Sequence, residues 1–145
     1  MNVAEALEFV RGNHHGIMAT TRSDGRVAMS PIACNVDGEG RVVVSTRETA
    51  MKVKHLQRDP HVAICVLNDG FFGEWVQVEG DAEIVRLPDA MDGLIDYYRS
   101  ISGEHPDWDD YRAAMRRQGK SLLRITPDRW GPVATGGFPA DRVPS

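Results

Sequence analysis

Long apolar runs and a basic excess are both missing from this sequence. No stretch approaches the roughly 20 apolar residues that a membrane-spanning helix needs, and the N-terminal segment carries Glu5 and Glu8 in an amphipathic pattern unlike a signal peptide. The formal net charge of −4 argues against general binding to nucleic acids, which usually requires an excess of cations. We therefore expect a cytoplasmic protein that binds neither nucleic acids nor membranes.

Motifs that mark metal, nucleotide and hydrolase sites are missing as well. The two cysteines, Cys34 and Cys65, form no CxxC pair and lie in apolar stretches, which indicates two buried thiols in a reducing compartment. No Cys/His spacing indicates zinc, and the sequence has no GxGxxG, P-loop or GxSxG motif. The sequence therefore predicts no metal site, and it identifies no catalytic side chain.

The apolar pattern predicts one domain built from an antiparallel β meander that single helices interrupt. Strands are predicted at 16–21, 27–36, 41–46, 61–67, 75–85 and 121–126, with helices near the N-terminus, before Pro60, and after Pro88 and Pro106. Pro31 inside the second strand requires an edge position, a bulge or a bend towards a cofactor. The order lacks regular βα alternation, so the predicted fold class is mainly β with helices (α+β), a small antiparallel barrel over residues 1–130, followed by a Pro/Gly-rich tail at 131–145.

The segment from Ser45 to Arg58 is unusually basic for an acidic protein. Ser45 and Glu48 have the spacing of a capping box, and the helix that they would start carries hydroxyl and cationic side chains, namely Ser45, Thr46, Arg47, Lys52, Lys54 and Arg58. Free N–H groups at a helix N-terminus with cations nearby form an anion site. The alternative is a solvated helix face. A phosphate-bearing redox cofactor would also explain why no acid–base set is visible, because such cofactors carry the chemistry themselves.

The sequence also resembles the pyridoxamine-5'-phosphate-oxidase-like split β-barrel proteins and, among them, the deazaflavin-dependent group. The resemblance spans roughly residues 5 to 130. It rests most on the helix end HLQRDP at 55–60 and on GEHPDWDDYR at 103–112, with weaker matches at 14–20, 24–26, 30–31 and 44–45.

This resemblance implies an FMN-binding-like split barrel that forms a homodimer with two cofactor sites at the subunit interface. It places Ser30, Pro31 and Ile32 beside the tricyclic ring of the cofactor, and Ser45, Thr46, Arg47 and Lys52 around its phosphate. Relatives often carry a second cation where this chain has Ala50. The tail at 131–139 is expected either to close over the site or to remain a surface tail.

The implied activity is hydride transfer between reduced coenzyme F-420 and an electron-poor small organic acceptor. Two alternatives stay open: an FMN-dependent oxidase or reductase of the same fold, and a protein that carries coenzyme F-420 without catalysis. Only Arg47 and Lys52 are evident phosphate ligands in the sequence, which favours the phosphodiester of F-420 over the phosphomonoester of FMN. The proton donor is not identified.

Overall fold

The computed structural model describes residues 1–131 and the backbone of 134–135. Its helices are α1 (Val3–Gly12), α2 (Met51–Arg58), α3 (Met91–Ser102) and α4 (Trp108–Gln118). Its strands are β1 (His15–Thr21), β2 (Val27–Ala33), β3 (Asn35–Val36), β4 (Val42–Arg47), β5 (His61–Leu67), β6 (Glu74–Val85), β7 (Lys120–Trp130) and β8 (Ala134–Thr135).

The strands form an antiparallel sheet that curls back on itself. The order is β2-β1-β5-β6-β7-β4-β3, and β8 pairs with β6. Because only Cys34 separates β2 from β3 in the chain, the two ends of the sheet lie next to each other and the sheet closes into a barrel with a split between β2 and β4. The predicted antiparallel split barrel is therefore confirmed, and the apolar strand β5 is central, as its sequence indicated.

Two hydrophobic clusters lie on opposite sides of the barrel wall. Alternate residues of a strand face opposite sides, so Val42 and Val44 of β4 point into the barrel core while Val43 points outwards. The barrel core also takes the buried face of α1, and the outer cluster joins Val43 and Leu122 to α3 and α4. Burial of each such aliphatic side chain contributes about 1.5–3 kcal/mol. The outer cluster thereby holds α3 beside the split.

The GEHPDWDDYR run at 103–112 stabilises the α3–α4 hairpin through hydrogen bonds. Asp107 caps α4 by accepting a hydrogen bond from the Asp110 N–H, and the Tyr111 hydroxyl donates to the Leu94 carbonyl at 2.8 Å. Glu104 accepts from Arg99 at 2.7 Å and from the Trp108 indole N–H at 3.0 Å. This run, on which the family resemblance partly rests, therefore has a structural role among the described residues.

Several predicted boundaries are wrong. The second predicted strand is broken at Cys34, whose N–H donates to the His14 carbonyl at 2.8 Å, and the chain there passes from β2 to β3. Helix α3 begins at Met91 because Pro88 lies in the preceding turn. Strand β7 extends to Trp130, because its pairing with β6 continues past a bulge near Gly80.

Two further predictions concern the C-terminal tail and the absence of a membrane span. Of the predicted tail at 131–145, the model describes Gly131 and strand β8, so the expected closure over the site lies outside the described residues. Among the helices described, none is long and apolar enough to cross a membrane.

Candidate functional site

Strand β2 forms one side of the split. Among the strands described it pairs only with β1, so Pro31 lies on an edge strand, which is one of the positions that permit a proline in a strand. Ser30 lies opposite the buried Met18, so the side chains of Ser30 and Ile32 face the barrel while Pro31 faces outwards. The predicted ring-binding residues thus share one strand but not one face.

Tyr97 of α3 spans the split. Its hydroxyl donates to the Ala33 carbonyl of β2 at 2.9 Å and lies beside the Ser45 backbone of β4. Burial raises the pKa of Tyr97, which keeps the phenol protonated and able to donate. One side chain therefore sets the spacing between the predicted ring-binding strand and the predicted phosphate-binding strand. Sequence reasoning missed Tyr97 because the partners it joins depend on barrel closure.

The predicted capping box is wrong. Ser45 belongs to β4, which stays paired with β7 through Arg47, and α2 begins only at Met51 with Ala50 as its N-cap. The Glu48 carboxylate instead accepts from the Ser121 hydroxyl and from Arg86, and these bonds lower the pKa of Glu48. Helix α2 has no side-chain cap, and the Val53 N–H donates to the Ala50 carbonyl at 3.1 Å, so among the described residues the N–H groups of Met51 and Lys52 stay available to a bound anion.

Three cations lie together at the end of β4, namely Arg47, Lys52 and Lys120. Lys120 is directly opposite Arg47 in the β4–β7 ladder. Partial burial and then the charge of Lys120 lower the pKa of Lys52; partial burial and then the charge of Arg47 lower the pKa of Lys120. None of these cations forms an ion pair with a carboxylate in the part of the chain that the model covers. We call this set the cation cluster.

The predicted phosphate ligands differ in how well they can reach an anion. Arg47 is exposed and Lys52 is half-buried, whereas Thr46 is only 6% exposed and lies on the barrel side of β4. Lys120 was not among the predicted ligands. Its place beside Arg47 follows from pairing between strands that are far apart in sequence, and no local pattern signals it.

A groove connects Lys52 of the cation cluster to β2. One cavity of about 260 Å³ is lined by both Ser30 and Lys52, which brings together one predicted ring-binding residue and one predicted phosphate ligand. The buried His55 also lines it, with Nδ1 2.9 Å from the Thr20 hydroxyl. An adjoining cavity of about 460 Å³ shares His55 and adds Lys54 and Arg58. The cavity that reaches Ser30 is therefore basic at Lys52 and apolar at Ala28 and Met29, and Lys54 does not line it.

The largest of the cavities described lies between α3 and the turn from β3 to β4, with Tyr97 in its wall, and it suits a phosphate poorly. It measures about 510 Å³ and is lined by four carboxylates, Asp37, Glu39, Asp92 and Asp96. Its two cations are already paired, Arg41 with Asp37 at 2.8 Å and Arg124 with Glu83 at 3.5 Å. The groove beside α2 is therefore the better anion site.

The outward side of β2, β1 and β5 presents an apolar surface, which we call the outer face. Across the three strands, Pro31 is opposite Ile17, which is opposite Cys65, and Met29 is opposite Ala19, which is opposite Ala63. Met29 is 71% exposed and Val27 is 55% exposed. The prediction of two buried thiols thus holds for Cys34 but not for Cys65, which lies half-exposed on this face. Apolar patches of this kind mark interfaces.

One group of potential metal ligands occurs among the described residues, and it lies on the surface. His61, Asp81 and Asp128 have ligand atoms within 4.8 Å of one another, and all three side chains are exposed. His61 already lies 3.9 Å from Asp81. The absence of a metal site stays a prediction.

Comparison with known proteins gives consistent matches. A family model described as pyridoxamine 5'-phosphate oxidase matches residues 3–134. A conserved hypothetical protein from Mycobacterium tuberculosis has a similar structure, with a TM-score of 0.74 and 25% identity over 90% of this chain and 82% of that one. An F-420 reductase has a TM-score of 0.61 and 21% identity over 82% of this chain and 90% of that one. The haem storage protein HutZ from Vibrio cholerae has a TM-score of 0.70 and 18% identity, over 94% and 98% of the two chains.

Proposed function

The chain belongs to the pyridoxamine 5'-phosphate oxidase family, and on that basis we propose that it is an oxidoreductase that binds a flavin-type cofactor in the groove between β2 and α2. The observation that carries the proposal is the cation cluster, which has no counter-ion in the described residues and lies beside the uncapped N-terminus of α2. Two of these cations, Lys52 and Lys120, are partly buried, and burial of an unpaired charge lowers stability unless an anion binds it.

The donor set fits a phosphate-bearing cofactor. Arg47 and Lys52 would form charge-assisted hydrogen bonds with the phosphate, and the first N–H groups of α2 would add backbone donors. Ser30 lines the same cavity as Lys52, so a cofactor held at its phosphate would extend towards β2. Ile32 shares the barrel side of β2 with Ser30 and would offer apolar contact to a ring, whereas Pro31 would offer such contact only from the outward side.

The chemistry of the reaction would come from the cofactor, which when bound supplies hydride transfer. This chain would bind the cofactor, orient it and hold an electron-poor small organic acceptor against it, and orientation of this kind alone lowers a barrier by several kcal/mol. Tyr97 would keep the two sides of the site at a fixed spacing through its bond to Ala33 and its position beside the Ser45 backbone. No side chain is required as a nucleophile.

Coenzyme F-420 is the proposed cofactor, and this choice rests on the resemblance of the HLQRDP and GEHPDWDDYR runs to the deazaflavin-dependent group. The number of cations no longer supports it, because Lys120 adds a third to the two that were evident in the sequence. That same cation favours FMN as the second candidate, since a phosphomonoester carries more negative charge than a phosphodiester.

We also propose that the protein is a homodimer joined through the outer face. Pro31 belongs both to this apolar face and to the edge strand of the cofactor site, so a second copy there would complete two sites at the interface. Light scattering at micromolar concentration should give twice the mass of the chain, and Met29→Asp should halve it. A monomeric wild type would overturn the shared sites.

Titration of the purified protein with each cofactor, followed by fluorescence quenching, tests the proposed function. Coenzyme F-420 should bind at least about tenfold more tightly than FMN, a difference of about 1.4 kcal/mol. Equal binding, or a protein that purifies with FMN already bound, would overturn the choice of F-420. Failure of both cofactors to bind would overturn the proposed function as a whole.

A further inference from the structure

We propose that Lys120 of β7 is a direct ligand of the cofactor phosphate and that it sets how much negative charge the site accepts. This inference rests on the proposed function for the identity of the ligand. Its structural basis is the convergence of Lys120 with Arg47 and Lys52 from three different elements, β7, β4 and α2.

The position of Lys120 is fixed by its backbone. Helix α4 ends at Gln118, and its C-cap Gly119 adopts a left-handed conformation with φ of 61°, so the chain turns at once and β7 starts at Lys120. The Gly119 carbonyl accepts from the Glu48 N–H at 2.8 Å, which ties the start of β7 to the end of β4. Lys120 is therefore held opposite Arg47 by the ladder and by this bond.

The nearest acid in sequence does not neutralise the cluster. Glu48 follows Arg47 directly, yet its carboxylate is engaged by Arg86 at 2.6 Å and by the Ser121 hydroxyl. Partial burial and then the charge of a cationic neighbour therefore lower the pKa of both lysines of the cluster. Like charges placed so close together are unfavourable in the free protein, and an anion bound between them would reverse the sign of the interaction.

The charge of the ligand should then determine how much Lys120 contributes. A third cation attracts a doubly charged phosphomonoester about twice as strongly as a singly charged phosphodiester, because the Coulomb energy scales with the product of the charges. Removal of Lys120 should therefore weaken FMN more than coenzyme F-420. Lys120 would act as the residue that sets specificity between the two.

The first experiment titrates the protein with inorganic phosphate and follows the NMR signals of its lysine side chains. The chain has only three lysines, Lys52, Lys54 and Lys120, so the side-chain signals of ¹³C-labelled lysine can be assigned by three single substitutions. Phosphate should shift the Lys52 and Lys120 signals with one common dissociation constant and raise both pKa values, while the Lys54 signal stays in place. A Lys120 signal that does not move when Lys52 does would overturn the inference.

The second experiment separates ligand binding from a structural role. Without phosphate, Lys120→Gln should unfold at the same temperature as the wild type or a higher one, because a repulsion is removed; in saturating phosphate the order should reverse. In Lys120→Gln the dissociation constant should rise about tenfold for FMN and about threefold for coenzyme F-420. Lys120→Arg, which keeps the charge, should retain most of the wild-type affinity. A lower unfolding temperature without phosphate would instead assign Lys120 a structural role and overturn the inference.

The two proposals can fail separately. If phosphate moves both lysine signals but neither flavin-type cofactor binds, Lys120 is an anion ligand and the proposed function is wrong. If cofactor binds and Lys120→Gln changes neither affinity nor the phosphate response, the proposed function stands and the role of Lys120 is wrong.

Discussion

Two groups of cations in this molecule are used in opposite ways. At the α3–α4 hairpin, Arg99 is bonded to Glu104 at 2.7 Å and lies 5.0 Å over the ring of Trp108. At the end of β4, Arg47, Lys52 and Lys120 converge without a carboxylate partner in the described residues. The paired group completes local packing, and the unpaired group is the one that we propose to bind an anion. The comparison teaches that the pairing of a cation, more than its presence, separates a structural role from a binding role.

The largest effect on binding is expected from the unpaired group. If Lys52 bonds to the cofactor phosphate, Lys52→Ala should raise the dissociation constant about 10- to 150-fold, since a charge-assisted hydrogen bond contributes roughly 1.5–3 kcal/mol. Fluorescence titration measures this directly. Added salt should weaken the wild type more than the variant, because the variant has already lost a screened interaction.

Lys54→Ala is the matched control for Lys52→Ala. Lys54 lies on the same helix but lines the adjoining cavity together with Arg58, away from Ser30. Its removal should change the affinity by less than about threefold, as expected for a solvated charge. If both alanine variants bind like the wild type, the basic segment is a solvated helix face.

An intermediate effect is expected where the two sides of the site are joined. Tyr97→Phe removes a hydroxyl that bonds to the Ala33 carbonyl and lies beside the Ser45 backbone, and it leaves the Ala33 carbonyl without that partner. The free energy of unfolding in urea should fall by about 1–2 kcal/mol, and cofactor affinity should fall with it because the spacing of β2 and β4 is no longer fixed.

The control for Tyr97→Phe is its neighbour on α3. The Tyr98 hydroxyl forms no hydrogen bond with the residues that the model covers, and its ring packs 5.9 Å from that of Trp108. Tyr98→Phe should leave both stability and affinity unchanged within about 0.5 kcal/mol. Equal losses in the two variants would show that the Tyr97 hydroxyl does not join the strands.

The smallest effect is expected from the paired group. Arg99→Ala should lower the free energy of unfolding by only about 0.5–1 kcal/mol, because its ion pair and its ring contact are both substantially exposed. Cofactor affinity should not change. Arg112→Ala, which removes a single exposed ion pair to Asp109, should cost less than about 0.5 kcal/mol. A large loss of cofactor affinity in Arg99→Ala would remove the distinction between the two groups.

The sequence predicts the strands well because their signals are local. The β-branched run at 42–44 is buried on both faces of the sheet, the apolar run at 61–67 has alternate residues buried, and both segments are strands. The start of α2 is mispredicted because Ser45 and Glu48 satisfy a local capping pattern that loses to the longer β4–β7 ladder. Tertiary pairing thus overrides a local preference.

The candidate site is predictable only where its residues are close in sequence. Arg47 and Lys52 stand out as a short basic segment, and Ser30 with Pro31 stands out through the proline. Lys120 and Tyr97 do not, because the first depends on pairing of β7 with β4 and the second on a helix that lies across the split. Contacts between distant segments carry no signal in a single sequence.

The coupling between the cofactor phosphate and the cations Arg47 and Lys52 decides whether the unpaired group is a binding site. It can be measured by titrating the wild type and the Arg47→Ala/Lys52→Ala variant with coenzyme F-420 and with its deazaflavin nucleoside, which lacks the phosphate. Loss of the phosphate should weaken binding to the wild type at least about tenfold and binding to the variant less than about threefold. An equal loss in both proteins would contradict the proposal, because the phosphate would then be bound elsewhere.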